Sequence, residues 1–148
     1  MLRLTGAFNP DGLAWVMFSN GLESSFDDFT ALPGETKVGL SPWYTNADYL
    51  RFVNALPRHA HLEKRLAGKS DGGREHWELT VTDPAAPGEK KRRIFWHARE
   101  HSYESYSSFA MEGLVEFLLS DAAAEFRRHY IIVLHPMTNV DGVAQGFE

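Results

Sequence analysis

The chain has 148 residues, with 15 Lys and Arg against 20 Asp and Glu and no cysteine. That length suits one domain able to build a real core, and 43% hydrophobic with 24% charged residues is an ordinary globular balance that excludes disorder, collagen and a coiled coil. Without cysteine there is no disulfide framework, thiolate site or cysteine nucleophile, so any metal must rest on His and carboxylates; a formal net charge of -5 offers no long-range attraction to nucleic acid or to an anionic membrane.

Residues 1–46 read as an irregular strand-and-loop segment. Turn chemistry at Asn9-Pro10-Asp11-Gly12, Asn20-Gly21 and Pro33-Gly34 surrounds the strand-like Ala14-Trp15-Val16-Met17-Phe18. Asn9-Pro10 interrupts the N-terminus before a signal-type apolar core forms, and no stretch approaches the roughly 20 apolar residues of a membrane span. A cytoplasmic protein is expected. From an N-cap at Asn46, Tyr49, Leu50, Val53 and Leu56 follow helical spacing until Pro57.

Gly68-Lys69-Ser70-Asp71-Gly72-Gly73 is a turn leading into the alternating Trp77-Glu78-Leu79-Thr80-Val81-Thr82. It is not a phosphate loop, since Glu63 stands where the leading glycine is required and a strand follows. After a loop from Asp83-Pro84 to Pro87-Gly88, Arg93-Ile94-Phe95-Trp96 begins a second strand, expected to pair antiparallel with the first. The charge run Glu89-Lys90-Lys91-Arg92-Arg93 reads as a solvated edge.

Between Ser105 and Ser120, Ala110, Met111, Leu114, Val115 and Leu118 keep a 3.6-residue period, with Glu112 and Glu116 opposite. Asp121 caps a short helix that ends in Arg127-Arg128-His129, cations at its negative pole. Tyr130-Ile131-Ile132-Val133-Leu134 then reads as a strand covered on both faces. Strand, helix and strand together predict an α/β layer architecture. Gly142 to Glu148 shows no finished terminal element, so the chain reads as the front part of something longer.

Chemistry concentrates in His97-Ala98-Arg99-Glu100-His101-Ser102-Tyr103-Glu104, which holds two overlapping His-x-x-Glu pairs, His97 with Glu100 and His101 with Glu104. A neutral imidazole and a carboxylate at a strand end and helix start can converge on a cation such as zinc. The helix N-terminus favours the ionised carboxylate, and the carboxyl end of a central strand is where open α/β sheets hold ligands. An inverted zincin, His97 and His101 as ligands with Glu100 as base, needs a helix through all five residues, whereas Ile94-Phe95-Trp96 leads in as a strand. A surface pair with only a local hydrogen bond remains the bland alternative.

Arg99-Glu100-His101-Ser102-Tyr103-Glu104-Ser105, followed by the helix from Phe109 to Ser120, resembles the first zinc-ligand segment of the M14 zinc carboxypeptidases. The likeness is greatest to the cytosolic carboxypeptidase branch, where a strand ends in Ala-Arg-x-His-Pro-Gly-Glu. Ser102-Tyr103 replaces Pro-Gly. Leu134-His135-Pro136-Met137-Thr138-Asn139-Val140-Asp141-Gly142-Val143 resembles the family's Pro-x-x-Asn-Pro-Asp-Gly loop, with Val140 for proline, and Gly68-Lys69-Ser70 to Arg74 its Gly-x-Ser-x-x-Gly-Arg turn. The His97 register also looks like the His-x-Arg-Glu of the digestive branch, but it throws the following helix out of phase.

The resemblance implies a partial zinc-carboxypeptidase-like α/β/α sandwich with a mixed sheet over residues 47–148. It also implies Zn2+ as cofactor, His101 and Glu104 as metal ligands, and a peptide or protein C-terminus as substrate. Arg99 becomes a candidate either to hold a substrate carboxylate or to orient Glu104. His97 becomes a packed neighbour, and His135, which ends the next strand, is a weaker nominee for a third ligand. In the family the third ligand, the main carboxylate-binding arginine and the catalytic glutamate come from later in the domain, so two of three ligands are expected here and none of the catalytic residues. Two other functions stay open: a non-catalytic binding module, and a related zinc amidohydrolase acting on acylated amino acids.

Overall fold

The computed structural model describes residues 42–146. Two compact units divide the chain, Met1–Trp43 and Tyr44–Glu148, and all the elements below belong to the second. The strand and turns expected before residue 42 lie outside the described residues.

Helix α1 spans Asn46–Ala55 and starts one residue earlier than an N-cap at Asn46 implies. Thr45, not Asn46, is the N-cap: a Thr-x-x-Asp capping box has Asp48 N–H donating to the Thr45 hydroxyl at 3.3 Å and Thr45 N–H donating to Asp48 at 2.7 Å. Asn46 instead donates its side-chain amide to the Val140 carbonyl at 2.8 Å. Tyr49 and Val53 are buried, and Pro57 follows the end of the helix, as expected.

Four strands form a mixed sheet in the order β1-β2-β4-β3: β1 Leu62–Lys69, β2 Glu75–Val81, β3 Arg92–His97 and β4 Tyr130–His135. β1 and β2 are an antiparallel hairpin turning at residues 70–74, and β2 also runs antiparallel to β4. Among the described residues β3 pairs with β4 alone, in parallel, from Arg92↔Tyr130 to His97↔His135. The expected antiparallel pairing of the Trp77 and Arg93 strands therefore fails. The most continuously apolar strand, β4, takes the position between them, where both of its backbone edges are paired away from water.

The connection from β3 to β4 carries α2 (Ser105–Leu119), a 3₁₀ turn (Asp121–Ala123) and α3 (Ala124–His129). Met111, Val115 and Leu118 of α2 pack on Leu79, Val81, Ile132 and Leu134 of the sheet. Ala110, counted with the apolar stripe, is exposed, and Glu112 is drawn inward by the Tyr44 hydroxyl, which donates to it at 2.5 Å. Arg127 ends the crossover from inside: its buried guanidinium donates to the carbonyls of Leu118 and Ser120, both at 2.6 Å, satisfying the C-terminus of α2. Ile131 and Val133, on the opposite face of β4, are only half-buried, so among the described residues the strand is covered on one face and not on both.

Beyond β4, residues 136–139 lead into α4 (Val140–Gln145), a short helix where no element was expected. Its cap, Asn139, accepts from Gly142 N–H at 2.8 Å. Gly142 leaves no room for a side chain unless Asn139 moves: an added Cβ would lie 2.5 to 2.7 Å from the Asn139 amide group. Tyr44, Tyr49, Val53, Met137 and Val140 form a second cluster that joins α1 to α4.

Candidate metal centre

β3 ends at His97, and the chain then turns sharply at the carboxyl end of the parallel β3–β4 pair. Ala98 N–H donates to the His135 carbonyl at 3.0 Å, extending the ladder by one bond. The carbonyls of Ala98 and Arg99 then accept from the backbone N–H groups of Thr138 and Asn139, each at 2.9 Å. The loop after β4 is thereby laced to the loop after β3.

Arg99 is the pivot. Its φ of 57° makes it the only non-glycine residue in the left-handed region among the described residues, at a cost of about 1–2 kcal/mol for an L-residue. The surroundings hold it there. Its N–H donates to the Ser107 hydroxyl at 3.1 Å, its Nη2 to the Ser102 carbonyl at 2.5 Å and its Nη1 to the Ser108 hydroxyl at 3.4 Å. The residue is 4% exposed. Burial lowers the guanidinium's pKa, opposed by the fields of Tyr44 and Glu104.

Residues 100–103 form bends and a turn rather than a helix, which leaves the inverted zincin without its scaffold. Glu104 N–H donates to the His101 carbonyl at 3.2 Å, closing a tight turn with His101 at one end and Glu104 at the other. The Ser107 hydroxyl bridges from behind, accepting from Arg99 N–H and donating to the Glu104 carbonyl at 2.7 Å. Both His101 and Glu104 are exposed, and neither side chain hydrogen-bonds among the described residues.

This donor set suits zinc: an imidazole and a carboxylate, neither hydrogen-bonded among the described residues, on one backbone-closed turn at the start of α2, with the His101 ring 5.9 Å from that of Tyr103. Among the described residues no three His, Asp or Glu side chains converge to hold a metal. His97 stacks on Phe95 with ring centroids 5.8 Å apart. His135 turns across the sheet, its Nε2 3.1 Å from the Glu78 carboxylate, which also receives Arg65 at 2.7 Å.

A second cluster supports the turn from further away. The Asp141 carboxylate accepts from the Ser70 hydroxyl at 2.7 Å, Gly72 N–H at 3.0 Å and Arg74 Nη1 at 2.7 Å. Those bonds, the Ser70 hydroxyl foremost, hold its pKa below the ordinary aspartate value. The glycine-rich turn and the Asn139-Val140-Asp141-Gly142 loop, singled out separately in the sequence, thus meet. Through Asn139 N–H on the Arg99 carbonyl they reach the turn that carries His101 and Glu104. The roles of Ser102, Ser107 and Ser108 carried no sequence signal, because a serine at a helix start is common.

The sequence profile of the zinc carboxypeptidases matches residues 48–148. The chain belongs to the zinc carboxypeptidase family. It is 38% identical to cytosolic carboxypeptidase 2 of Danio rerio over 104 residues, which is 66% of this chain and 14% of that protein. With cytosolic carboxypeptidase 6 of Mus musculus it shares 31% over 109 residues, 70% of this chain and 20% of the relative. Among solved structures, a metallo-carboxypeptidase from Burkholderia cenocepacia aligns with a TM-score of 0.60 at 26% identity, covering 68% of this chain and 28% of that one. A Pseudomonas aeruginosa metallo-carboxypeptidase gives 0.59 at 24% identity, over 68% of this chain and 27% of that one.

The family resemblance and the α/β fold with a mixed sheet are therefore borne out. The chain spans only 14% and 20% of those two curated relatives. No helix among the described residues is long and apolar enough to cross a membrane.

Proposed function

We propose that this chain carries the first metal-ligand segment of a zinc-dependent metallocarboxypeptidase, with His101 and Glu104 as ligands, that releases C-terminal residues from peptides or proteins. The observation that carries the reading is the turn itself: two uncommitted ligand-type side chains, three residues apart, on a backbone closed by its own hydrogen bond and braced by a buried arginine. Membership of the family supports the reaction class.

A zinc ion held there would supply Lewis acidity, polarising the scissile carbonyl and activating a water molecule for attack. The chain's own residues present the ligands, keep Glu104 at the positive end of α2 and close the loops behind them. A catalytic zinc shell needs three protein ligands, so the third, with the general base and the carboxylate-binding arginine, is assigned outside the described residues. A cytoplasmic location is proposed from the relatives, which are named cytosolic.

The test is C-terminal amino acid release from a peptide with a free carboxylate and from the same peptide amidated, by the protein as its gene encodes it. Release confined to the free acid, abolished by 1,10-phenanthroline and by His101→Ala, is the expected result. Equal cleavage of the amidated peptide would overturn the carboxypeptidase reading, and hydrolysis of acylated amino acids alone would replace it with the amidohydrolase one. A His101→Ala variant as active as wild type would overturn the ligand assignment.

A further inference from the structure

We infer that Arg99 is a positioning residue for the metal ligands and not a contact for the substrate. This rests on the assignment of His101 and Glu104 as ligands and adds to it the device that aims them.

A guanidinium that binds a substrate carboxylate must be reachable from solvent and must keep its two-pronged edge free. Arg99 meets neither condition. It is 4% exposed, and its two terminal nitrogens are given to the Ser102 carbonyl and the Ser108 hydroxyl. Its Nε is buried as well, with no partner among the described residues. The planar fork spans from the turn to α2. One prong fixes the carbonyl of the residue immediately after His101, and the other fixes the first turn of the helix that begins just after Glu104.

The backbone of the same residue completes the clamp. A φ of 57° redirects the chain from the strand into the ligand turn, with its N–H on Ser107 and its carbonyl on Asn139 N–H. Ser107 passes the restraint on, since its hydroxyl also donates to the Glu104 carbonyl. Both ligands are thus held through the carbonyls beside or on them, while their side chains stay free for the ion. Outer-shell groups of this kind orient metal ligands, and losing one typically lowers affinity by about 10–100-fold.

The experiment compares wild type, Arg99→Lys, Arg99→Met, Ser107→Ala and His101→Ala in the protein as its gene encodes it. Zinc affinity is measured by competition with a chromogenic chelator, and ligand geometry from the visible bands of the Co2+ form. A single ammonium cannot reach both acceptors, so Arg99→Lys and Arg99→Met should weaken zinc binding by about 10–100-fold and shift the Co2+ bands. Ser107→Ala should do the same to a smaller degree. If Arg99→Met does not fold, Arg99→Lys and Ser107→Ala decide.

Wild-type zinc affinity and unchanged Co2+ bands in those two, with binding lost in His101→Ala, would overturn the positioning role and leave the ligand assignment standing. The same is true of unchanged affinity with a raised KM, which would return Arg99 to the substrate. Zinc binding unaffected by His101→Ala would remove the ligand assignment, and this inference with it.

Discussion

Replacing Gly142 by alanine pits two effects of opposite sign against each other. Intrinsic propensity favours the change, since alanine in a helix interior is better than glycine by up to about 1 kcal/mol. Geometry opposes it. The new Cβ would lie 2.5 to 2.7 Å from the amide group of Asn139, closer than any ordinary van der Waals contact. The Asn139 backbone cannot retreat, because its N–H is bound to the Arg99 carbonyl at 2.9 Å and its carbonyl accepts from Val143 N–H at 3.0 Å. The side chain must therefore rotate away and give up the 2.8 Å bond that caps α4. Loss of such a cap costs about 0.5–2 kcal/mol, and the displaced amide loses packing as well. At the third position of a helix of only six residues the propensity gain is at its smallest, so the cap wins. Gly142→Ala should be less stable by about 1 kcal/mol, a fall of roughly 3 °C in thermal midpoint.

Urea unfolding of wild type, Gly142→Ala, Asn139→Ala and the double variant measures this as a cycle. In the Asn139→Ala background the obstacle is gone, so Gly142→Ala should become neutral or stabilising, with a coupling of about 1–2 kcal/mol. A single Gly142→Ala that stabilises the protein, or one that costs the same in both backgrounds, would refute the reasoning.

Asp141→Asn should destabilise the protein near neutral pH, and the deficit should shrink as pH falls below about 4. The native carboxylate is held below its ordinary pKa by Ser70, Gly72 and Arg74, so its contribution is present above the unfolded value and lost as pH drops through the folded one; a deficit independent of pH in thermal melts would contradict this. Arg127→Met removes two charge-assisted bonds to the Leu118 and Ser120 carbonyls, each worth about 1.5–3 kcal/mol. After the packing that methionine restores, denaturant unfolding should register a loss of about 2–3 kcal/mol, and a loss under about 0.5 would show that those carbonyls find other partners. Leu134→Ala, at a fully buried position of the central strand, should cost about 2–5 kcal/mol by the same assay, and a cost under about 1 would mean that the site collapses around the void.

Sequence periodicity found the elements whose burial is one-sided and whose partners are near. α2 was legible because Met111, Val115 and Leu118 return every turn to the same core. β1 was not, because an edge strand made of Glu63, Lys64, Arg65 and Lys69 carries charge instead of alternation. Pairing was misjudged for a related reason. The strands at Trp77 and Arg93 are neighbours in sequence, but the competition for the central place is won by the apolar Tyr130–His135 strand, which sequence distance hides. A local pattern also misled at the start of α1, where the Thr45–Asp48 box outcompetes Asn46.

In the site, His101, Glu104 and Arg99 were readable as residue types, but the burial of Arg99 was not. Nor was the meeting of Ser70, Gly72 and Arg74 with Asp141. Both segments stood out in the sequence, yet nothing in either names the other. Long-range hydrogen bonds of this sort leave no periodicity to read.

The decisive quantity is zinc stoichiometry and affinity in the protein as its gene encodes it, wild type beside His101→Ala and Glu104→Ala. One tightly held zinc per wild-type molecule, with affinity lowered at least about 100-fold in each variant, is the expected outcome. Zinc retained at full occupancy and undiminished affinity after both substitutions, or a wild type that binds none, would contradict it.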